Sequence, residues 1–275
     1  MWVDQSFPLH FAKNGKQIFS YRASQLHEND KLPIFLLHGI GSGSGSWAPV
    51  MSLLKEHYLT IAWDAPGYNR STDLTKLNPQ SIDYSKALSE FTQLLDIQPY
   101  AVIGHSLGAL MAVCYAVNQF PSLPKLILAN PANGYGRAKD EIREAKLNTR
   151  LDMLRELGTE KMAIERSSLL LSPTASSEAL ALVEWNMKKV TKKGYEQAAR
   201  TLANGDLTGI AGKYNGETLI ISSSGDNITP TATAKKIVKS FQGSSLEILP
   251  GLGHASYVED PDIFAKSVLK FLANN

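Results

Sequence analysis

The sequence has little of three things that define whole classes of protein: cysteine, excess charge and long apolar runs. Cys114 is the single cysteine among 275 residues, which excludes an internal disulfide framework and favours a reducing compartment. The 28 basic and 26 acidic residues leave a formal net charge of +2, which predicts neither a nucleic-acid footprint nor a polybasic membrane anchor. No stretch approaches the roughly 20 apolar residues of a membrane-spanning helix.

The N-terminus lacks the basic segment and apolar run of a signal peptide, so we expect a cytoplasmic protein. The length and the 43% hydrophobic composition are sufficient for one large domain with a full core and an inserted subdomain. We expect a monomer or homodimer that acts on a small-molecule substrate, without nucleic-acid or membrane partners.

The glycine-rich segment IFLLHGIGSGSGSW (34–47) lacks the residues of the common phosphate-binding loops. In each register of the dinucleotide fingerprint the third glycine is replaced by serine or alanine. A Walker loop needs a lysine, and the segment has none. We therefore predict no cofactor, and we also expect no metal.

Short apolar runs alternate with helical segments, a pattern typical of an α/β fold with a mostly parallel sheet. The predicted strands are residues 33–37, 59–63, 100–104, 125–129, 218–222 and 246–250. Segments 7–11 and 17–21 predict an antiparallel hairpin at the sheet edge, which makes eight strands. The helices predicted to cover both faces of the sheet are 47–57, 81–95, 107–120, 230–241 and 261–272.

Residues 132–214 interrupt this alternation with four helical patterns, at 140–157, 159–171, 177–190 and 194–203. We call this segment the helical insert and expect it to form a cap. Residues 1–131 and 215–275 then form the core. Such an insert lies naturally over the carboxyl ends of parallel strands, where α/β proteins bind ligands.

The segment VIGHSLGALM (102–111) follows a predicted strand, opens a predicted helix and contains the pattern G-x-S-x-G. In this context the serine, Ser106, is a candidate nucleophile on a strained turn. Bulky side chains two residues before or after it would collide, so Gly104 and Gly108 fit the same interpretation. The alternative is a glycine-bearing turn with an incidental serine.

A serine nucleophile needs a base that takes its proton and an acid that orients the base. In this arrangement the acid and then the histidine follow the serine along the chain. Asp226 lies on the turn after strand 218–222, and His254 lies after the last predicted strand. The competing acid position, after strand 125–129, holds Asn130, which favours Asp226.

Acyl transfer also needs two N–H donors for the developing oxyanion. Leu107, directly after the nucleophile, is one candidate, and Ile40, after His38-Gly39, is the other. We expect the remaining SGSGS (42–46) to form a flexible rim of the site.

These motifs together resemble the α/β-hydrolase superfamily of the Ser-Asp-His type with a helical cap. The resemblance rests on His38-Gly39, AWDAPGYNRS (62–71), GHSLG (104–108), Gly225-Asp226 and GLGHASYVEDP (251–261), in the family's order. It implies the same triad and oxyanion donors, and it identifies the helical insert as the cap. The stretch 192–207 is similar to that of 3-oxoadipate enol-lactonases, and ring-fission-product hydrolases share the layout.

The sequence therefore predicts a cofactor-independent serine hydrolase that acts on a small-to-medium ester or lactone. Carbon–carbon bond hydrolysis of a ring-fission product stays open, and so does a non-catalytic ligand-binding protein of this fold. Candidate substrate contacts are Trp47, His105, Asn130 and Trp185. Arginines of the helical insert could hold a substrate carboxylate, with a solvated surface position as the alternative. The arginines considered are Arg137, Arg143 and Arg200.

Overall fold

The computed structural model describes residues 1–24 and 31–273, and an eight-stranded sheet forms its centre. The strands are β1 (His10–Asn14), β2 (Gln17–Ala23), β3 (Pro33–Leu37), β4 (Leu59–Trp63), β5 (Ala101–His105), β6 (Lys125–Ala129), β7 (Glu217–Ser223) and β8 (Ser245–Leu249). Their spatial order is β1-β2-β4-β3-β5-β6-β7-β8. β2 pairs antiparallel with β1 and β4, and every neighbouring pair from β4 to β8 is parallel. The predicted mostly parallel, eight-stranded sheet is confirmed.

Helices cover both faces of this sheet. In the described residues they are α1 (Trp2–Ser6), α2 (Ala48–Leu54), α3 (Ser81–Leu95), α4 (Leu107–Asn118), α5 (Asp140–Arg166), α6 (Ser177–Met187), α7 (Lys192–Asn204), α8 (Leu207–Ala211), α9 (Thr231–Val238), α10 (Ser256–Glu259) and α11 (Pro261–Ala273). Side chains alternate between faces along a strand. Phe35 accordingly belongs to one buried cluster with residues of α3, α4 and α9, whereas Ile34 and Leu36 belong to a second cluster with residues of α2, α10 and α11.

The N-terminal hairpin differs from its prediction in the first strand. β1 begins at His10 rather than at residue 7, and α1 precedes it. The cause is the buried Arg22 on β2, whose guanidinium donates hydrogen bonds to the Phe7 carbonyl and, over 2.7 Å, to Asp4 Oδ1. These contacts hold α1 and Phe7 against the sheet, an arrangement that no local sequence pattern indicates.

The chain between β6 and β7 runs through α5 to α8, so the helical insert is helical as predicted. Gly158, with φ 67° and ψ 175°, breaks α5 at the point where the sequence predicts two separate helices. The next three helices begin at side chains that accept a backbone N–H of the first turn, which is the usual way to satisfy these donors. These N-caps are Ser176, Thr191 and Asp206.

Close contacts attach the helical insert to the rest of the fold. Thr191 Oγ1 donates a 2.8 Å hydrogen bond to the Gly67 carbonyl, and a Cβ on Gly194 would lie 1.9 Å from the same oxygen. The assignment of 1–131 and 215–275 to one core domain stays a prediction, and its residues 25–30, 274 and 275 lie outside the described residues. No helix of the described residues has the length and apolar character needed to cross a membrane.

Candidate active site

Ser106 lies on the sharp turn between β5 and α4, in a strained conformation with φ 53° and ψ −114°. Non-glycine residues rarely adopt such angles, and where they do the strain often marks a functional site. A Cβ on Gly104 would lie 2.4 Å from the Gly108 carbonyl oxygen, and one on Gly108 would lie 2.4 Å from the Leu37 carbonyl oxygen. The two glycines of the motif are therefore required sterically for this turn.

Asp226 and His254 meet at the carboxyl ends of β7 and β8. The imidazole Nδ1 of His254 lies 2.8 Å from Asp226 Oδ2, and both side chains are buried. An ionised carboxylate only accepts hydrogen bonds, so Nδ1 carries the proton and Nε2 is left as the acceptor. This tautomer is the one that general-base catalysis at a serine requires.

The Asp226 carboxylate is held by donors other than His254. Its Oδ2 accepts from Asn130 Nδ2 at 2.8 Å and from Thr229 Oγ1 at 2.6 Å. Its Oδ1 accepts from the backbone N–H groups of Ile228 at 2.7 Å and Thr229 at 2.9 Å. Burial acts to raise the pKa of Asp226, but the bonds from His254 and Thr229 outweigh it and hold that pKa well below its usual range. Asp226 is therefore ionised at neutral pH.

The loop after β3 runs beside Ser106, and two aromatic side chains fix its backbone. The imidazole of His38 donates from Nδ1 to the Gly39 carbonyl at 2.8 Å and accepts at Nε2 from the Ala65 N–H at 3.0 Å. Burial lowers the pKa of His38, which agrees with a neutral ring. Tyr68 donates from its hydroxyl to the Ile40 carbonyl at 2.7 Å.

The backbone N–H groups of Ile40 and Leu107 are the candidate oxyanion donors. Neither has a hydrogen-bond partner in the part of the chain that the structure describes. A Cβ on Gly39 would lie 3.0 Å from the Ser106 Cβ, so the Ile40 loop approaches the serine as closely as packing permits. Leu107 opens α4, where the first N–H groups of a helix are free to bind an anion.

Most of the remaining glycine–serine loop does not form the expected rim. Residues 44–47 form a buried 3₁₀ turn, and Asp64 Oδ1 accepts a 2.8 Å hydrogen bond from the Ser44 N–H. Tyr257 donates from its hydroxyl to Ser46 Oγ at 3.0 Å. For residues 44–46 the prediction of a flexible rim is therefore wrong, because long-range hydrogen bonds fix them inside the fold. Ser42 is half-buried and lines a small cavity beside Ser106, so a rim role for it stays a prediction.

Ser106 and His254 line one cavity of about 480 Å³ between the core and the helical insert. The insert contributes most of the wall, through residues 132–135, α5, the 3₁₀ turn Ser167–Leu170, α6 and α7. Ile40 and Gly41 belong to the wall on the opposite, core side. A ligand in this cavity would contact the candidate nucleophile, the base and the loop with the first oxyanion donor.

Two of the four candidate substrate contacts are tryptophans that pack elsewhere. Trp47 is completely buried, and its ring stacks on Tyr257 with 4.1 Å between centroids. Trp185 packs against Gly45, and the Lys189 Nζ lies 3.0 Å from the centre of its ring. Neither indole is among the described residues that line the cavity. Trp47 and Trp185 therefore pack within the fold and do not line the cavity in which a substrate would bind.

The other two candidates, His105 and Asn130, do not line this cavity, although His105 lines a smaller one of about 30 Å³ that Ser106 and His254 also line. The His105 Nε2 lies 2.9 Å from the His254 carbonyl oxygen, and burial lowers the pKa of His105 to about 3, so the ring is neutral. Asn130 bonds Asp226 directly. Asn130 is therefore positioned to hold the acid, and His105 contacts the backbone of the base. Substrate contact by His105 stays a prediction, since the residue lines the smaller cavity beside Ser106.

Sequence reasoning missed several contributors to the site. Thr229 is recognisable afterwards, because an aspartate often accepts hydrogen bonds from residues two and three positions later. The role of Glu259 was not predictable from its sequence neighbours. Its Oε2 accepts hydrogen bonds from the N–H groups of Ser172 and Gly253, both at 2.9 Å, and so links the insert to the loop that carries His254. Over the described ranges, no group of three or more His, Cys, Asp or Glu side chains is placed to hold a metal ion.

Comparison with known proteins identifies the family. Residues 33–261 match the family described as the alpha/beta hydrolase fold. The chain belongs to this family. The putative carbamate hydrolase RutD of Escherichia coli (strain K12 / DH10B) is 25% identical over 254 residues, which cover 88% of this chain and 91% of that protein. The predictions of an α/β-hydrolase fold and of an enzyme of this class are confirmed.

Solved alpha/beta hydrolase structures superpose closely on the chain. The enol-lactonase from Burkholderia xenovorans LB400 superposes with a TM-score of 0.84 at 21% identity, covering 96% of this chain and all 100% of that one. An esterase from Exiguobacterium antarcticum also superposes with a TM-score of 0.84, at 19% identity, covering 95% of this chain and 98% of that one. At such identities the likeness concerns the fold.

Proposed function

We propose that the chain is a serine hydrolase that cleaves a small-to-medium carboxylic ester or lactone through an acyl-enzyme at Ser106. The observation that carries this proposal is the Asp226–His254 pair, joined over 2.8 Å, whose imidazole lines the same cavity as the strained Ser106. A buried acid, a correctly protonated base and a nucleophile that lines the cavity from a tight turn are the three parts that acyl transfer needs.

In the acylation step, His254 Nε2 takes the hydroxyl proton as Ser106 Oγ bonds to the substrate carbonyl carbon. The carbonyl oxygen becomes an oxyanion that the N–H groups of Ile40 and Leu107 stabilise, and loss of one such donor typically costs about 100- to 1000-fold in rate. The tetrahedral intermediate then collapses. The bond to the leaving alkoxide breaks, and protonated His254 delivers the proton to it.

Deacylation repeats these steps with water. His254 removes a proton from a water molecule, whose oxygen attacks the acyl carbon, and the proton passes to Ser106 Oγ as the ester bond breaks. The products are a carboxylic acid and an alcohol, or a single hydroxy acid from a lactone. Asp226 stays ionised throughout and stabilises the imidazolium that forms at His254.

Two substitutions test the proposal. We expect Ser106→Ala and His254→Ala each to lower kcat/KM for a short-chain 4-nitrophenyl ester by about 10⁴-fold or more. Ser177→Ala and His57→Ala are matched controls, because both side chains are exposed and lie outside the cavity lining. Wild-type rates in either triad variant would refute the assignment.

A carbamate is the second candidate substrate, because the curated relative above is named a putative carbamate hydrolase. Its carbonyl would be attacked by the same Ser106 and stabilised by the same N–H groups. An aryl ester, a lactone, an aryl carbamate and a ring-fission ketone assayed side by side would separate these candidates. The ketone also tests the carbon–carbon bond hydrolysis that the sequence left open.

A further inference from the structure

The cavity above Ser106 has a one-sided charge. Lys146, Arg150 and Arg166 line it, and none of the described lining residues is an aspartate or a glutamate. All three cations come from α5 in the helical insert. A cavity wall with three positive charges and no carboxylate favours an anionic ligand over a neutral or cationic one.

Both halves of α5 contribute to this charged wall. Lys146, Arg150 and Met153 follow the four- and three-residue spacing that places side chains on one helix face. Gly158, with φ 67°, redirects the helix, and its second half brings Arg166 to the same cavity. The positive charges therefore converge from two helical segments rather than forming a stripe along one.

Other arginines of α5 are already paired. Arg143 Nη2 lies 2.9 Å from Asp140 Oδ1, and Arg155 Nη1 lies 2.8 Å from Asp152 Oδ1. Within residues 1–24 and 31–273, Arg150 and Arg166 have no carboxylate partner. Among the arginines of α5, Arg150 and Arg166 line the cavity and have guanidinium groups that are available to bind an anionic ligand.

Aromatic groups of the cavity wall lie near these two arginines. The Arg150 guanidinium lies 5.7 Å from the centre of the Tyr135 ring, and its Nη1 donates to the Lys146 carbonyl at 2.9 Å. Burial raises the pKa of Tyr195, and the charges of Arg150 and Arg166 act in the opposite direction. The buried Tyr195 lines the same cavity as both arginines.

We propose that this cavity takes an ester or lactone that carries a free carboxylate, bound by Arg150 and Arg166 while the scissile carbonyl lies at Ser106. The inference rests on the hydrolase function proposed above and adds its substrate class. A guanidinium matches the two oxygens of a carboxylate, so the pair would orient the substrate as well as attract it. The arginines singled out from sequence do not do this: Arg137 pairs with Asp206, Arg143 with Asp140, and Arg200 lies outside this lining.

Three esters of equal chain length test the charge preference. They are mono-4-nitrophenyl adipate, 4-nitrophenyl hexanoate and 4-nitrophenyl 6-aminohexanoate, which end in an anion, a methyl group and a cation. We expect kcat/KM to fall in that order, with the anionic ester preferred over the neutral one by about ten-fold or more. Added salt should reduce the preference, because Arg166 is exposed.

Arginine variants assign the preference to residues. In Arg150→Gln and Arg166→Gln we expect the ratio of kcat/KM for the anionic to the neutral ester to fall about ten-fold. Arg155→Gln is the matched control, because Arg155 lies on the same helix, pairs with Asp152 and does not line the cavity. Its ratio should equal that of the wild type.

A labelling experiment makes the test independent of turnover. A fluorophosphonate modifies Ser106, and monomethyl adipate should slow this reaction more than the neutral dimethyl adipate does, but not in Arg150→Gln. Equal protection by the two compounds, or a wild-type preference for the neutral ester, would overturn the carboxylate inference while Ser106-dependent hydrolysis stands. Ester hydrolysis that persists in Ser106→Ala would instead overturn the proposed function itself.

Discussion

The Asn130 side-chain amide donates a 2.8 Å hydrogen bond to Asp226 Oδ2, the same oxygen that accepts from His254. Asn130 Oδ1 in turn accepts from the hydroxyls of Ser223, at 3.3 Å, and Ser256, at 3.0 Å. The residue follows β6 and so connects the ends of β6 and β7 to the start of α10. We infer that Asn130 is a positioning residue that fixes the acid of the triad.

Asn130→Gly tests this positioning role. Removal of a hydrogen bond to a charged group costs roughly 1.5–3 kcal/mol, so we expect kcat to fall about 10- to 100-fold. KM should stay nearly constant, since Asn130 does not line the cavity. Asn130→Ala should lose the same activity, and it should also unfold at lower urea concentration because φ is 43° at this position. A change confined to KM would contradict the role.

The depressed pKa of Asp226 makes stability depend on pH. Because that pKa lies below the ordinary 3.8, ionised Asp226 stabilises the folded state above pH 3.8, and this contribution is lost as the pH falls through the folded-state pKa. Thr229→Val removes the 2.6 Å bond from Oγ1 and should bring the pKa nearer its ordinary value. The folded wild type keeps Asp226 ionised at about pH 3, so the two proteins should differ below that pH. Between about pH 3 and about pH 2 the variant should lose less Tm than the wild type.

Thr229→Ser is the control for this experiment, because it keeps the hydroxyl. Its Tm should follow the wild-type pH dependence. If Tm depends on pH in the same way for Thr229→Val and the wild type, the Thr229 hydroxyl does not stabilise the ionised form of Asp226.

Gly104→Ala tests the steric requirement of the nucleophile turn. Its Cβ would meet the Gly108 carbonyl oxygen at 2.4 Å, and overpacking of this kind costs about 1–3 kcal/mol. Gly212→Ala is the control, since its nearest neighbour, the Ser240 carbonyl oxygen, lies 3.4 Å away and its φ is −66°. Urea unfolding should show a loss of stability in Gly104→Ala only. Equal unfolding midpoints for the two variants would contradict the steric argument.

Glu259 joins the helical insert to the loop that carries His254. Glu259→Ala removes the acceptor of the Ser172 and Gly253 N–H groups, and the loss of buried partners costs about 1–3 kcal/mol. We expect lower stability and lower kcat, with Glu259→Gln less affected because it keeps a carbonyl oxygen. Glu56→Ala, at an exposed glutamate, should match the wild type. If Glu56→Ala loses as much stability as Glu259→Ala, the hydrogen bonds of Glu259 do not stabilise the fold more than an exposed glutamate does.

The parts of this molecule that short stretches of sequence specify were predictable. Gly104, Ser106 and Gly108 lie within five residues of one another, and their spacing follows from the sterics of a single turn. Asp226 and His254 were found because each follows a recognisable strand. The alternating apolar runs likewise predicted the six parallel strands β3 to β8 closely, since parallel strands have a distinctive composition. The hairpin pattern predicted β2 as well, but not the bounds of β1.

The features that depend on distant contacts were not predictable. Asp64 fixes the glycine–serine loop from β4's end, which no local pattern indicates. Whether Trp185 or Arg150 faces the cavity depends on how the insert packs and on the break at Gly158. Arg143 and Arg150 look equivalent in the sequence, but in the structure Arg143 pairs with Asp140 whereas Arg150 lines the cavity.

The central claim is that catalysis proceeds through an acyl-enzyme at Ser106, and covalent labelling tests it most directly. The purified chain is treated with a fluorophosphonate, and its intact mass and the modified peptide are measured by mass spectrometry. We expect a single adduct on Ser106, formed slowly in His254→Ala and absent in Ser106→Ala. An unmodified wild-type chain, or an adduct that forms equally in Ser106→Ala, would contradict the claim.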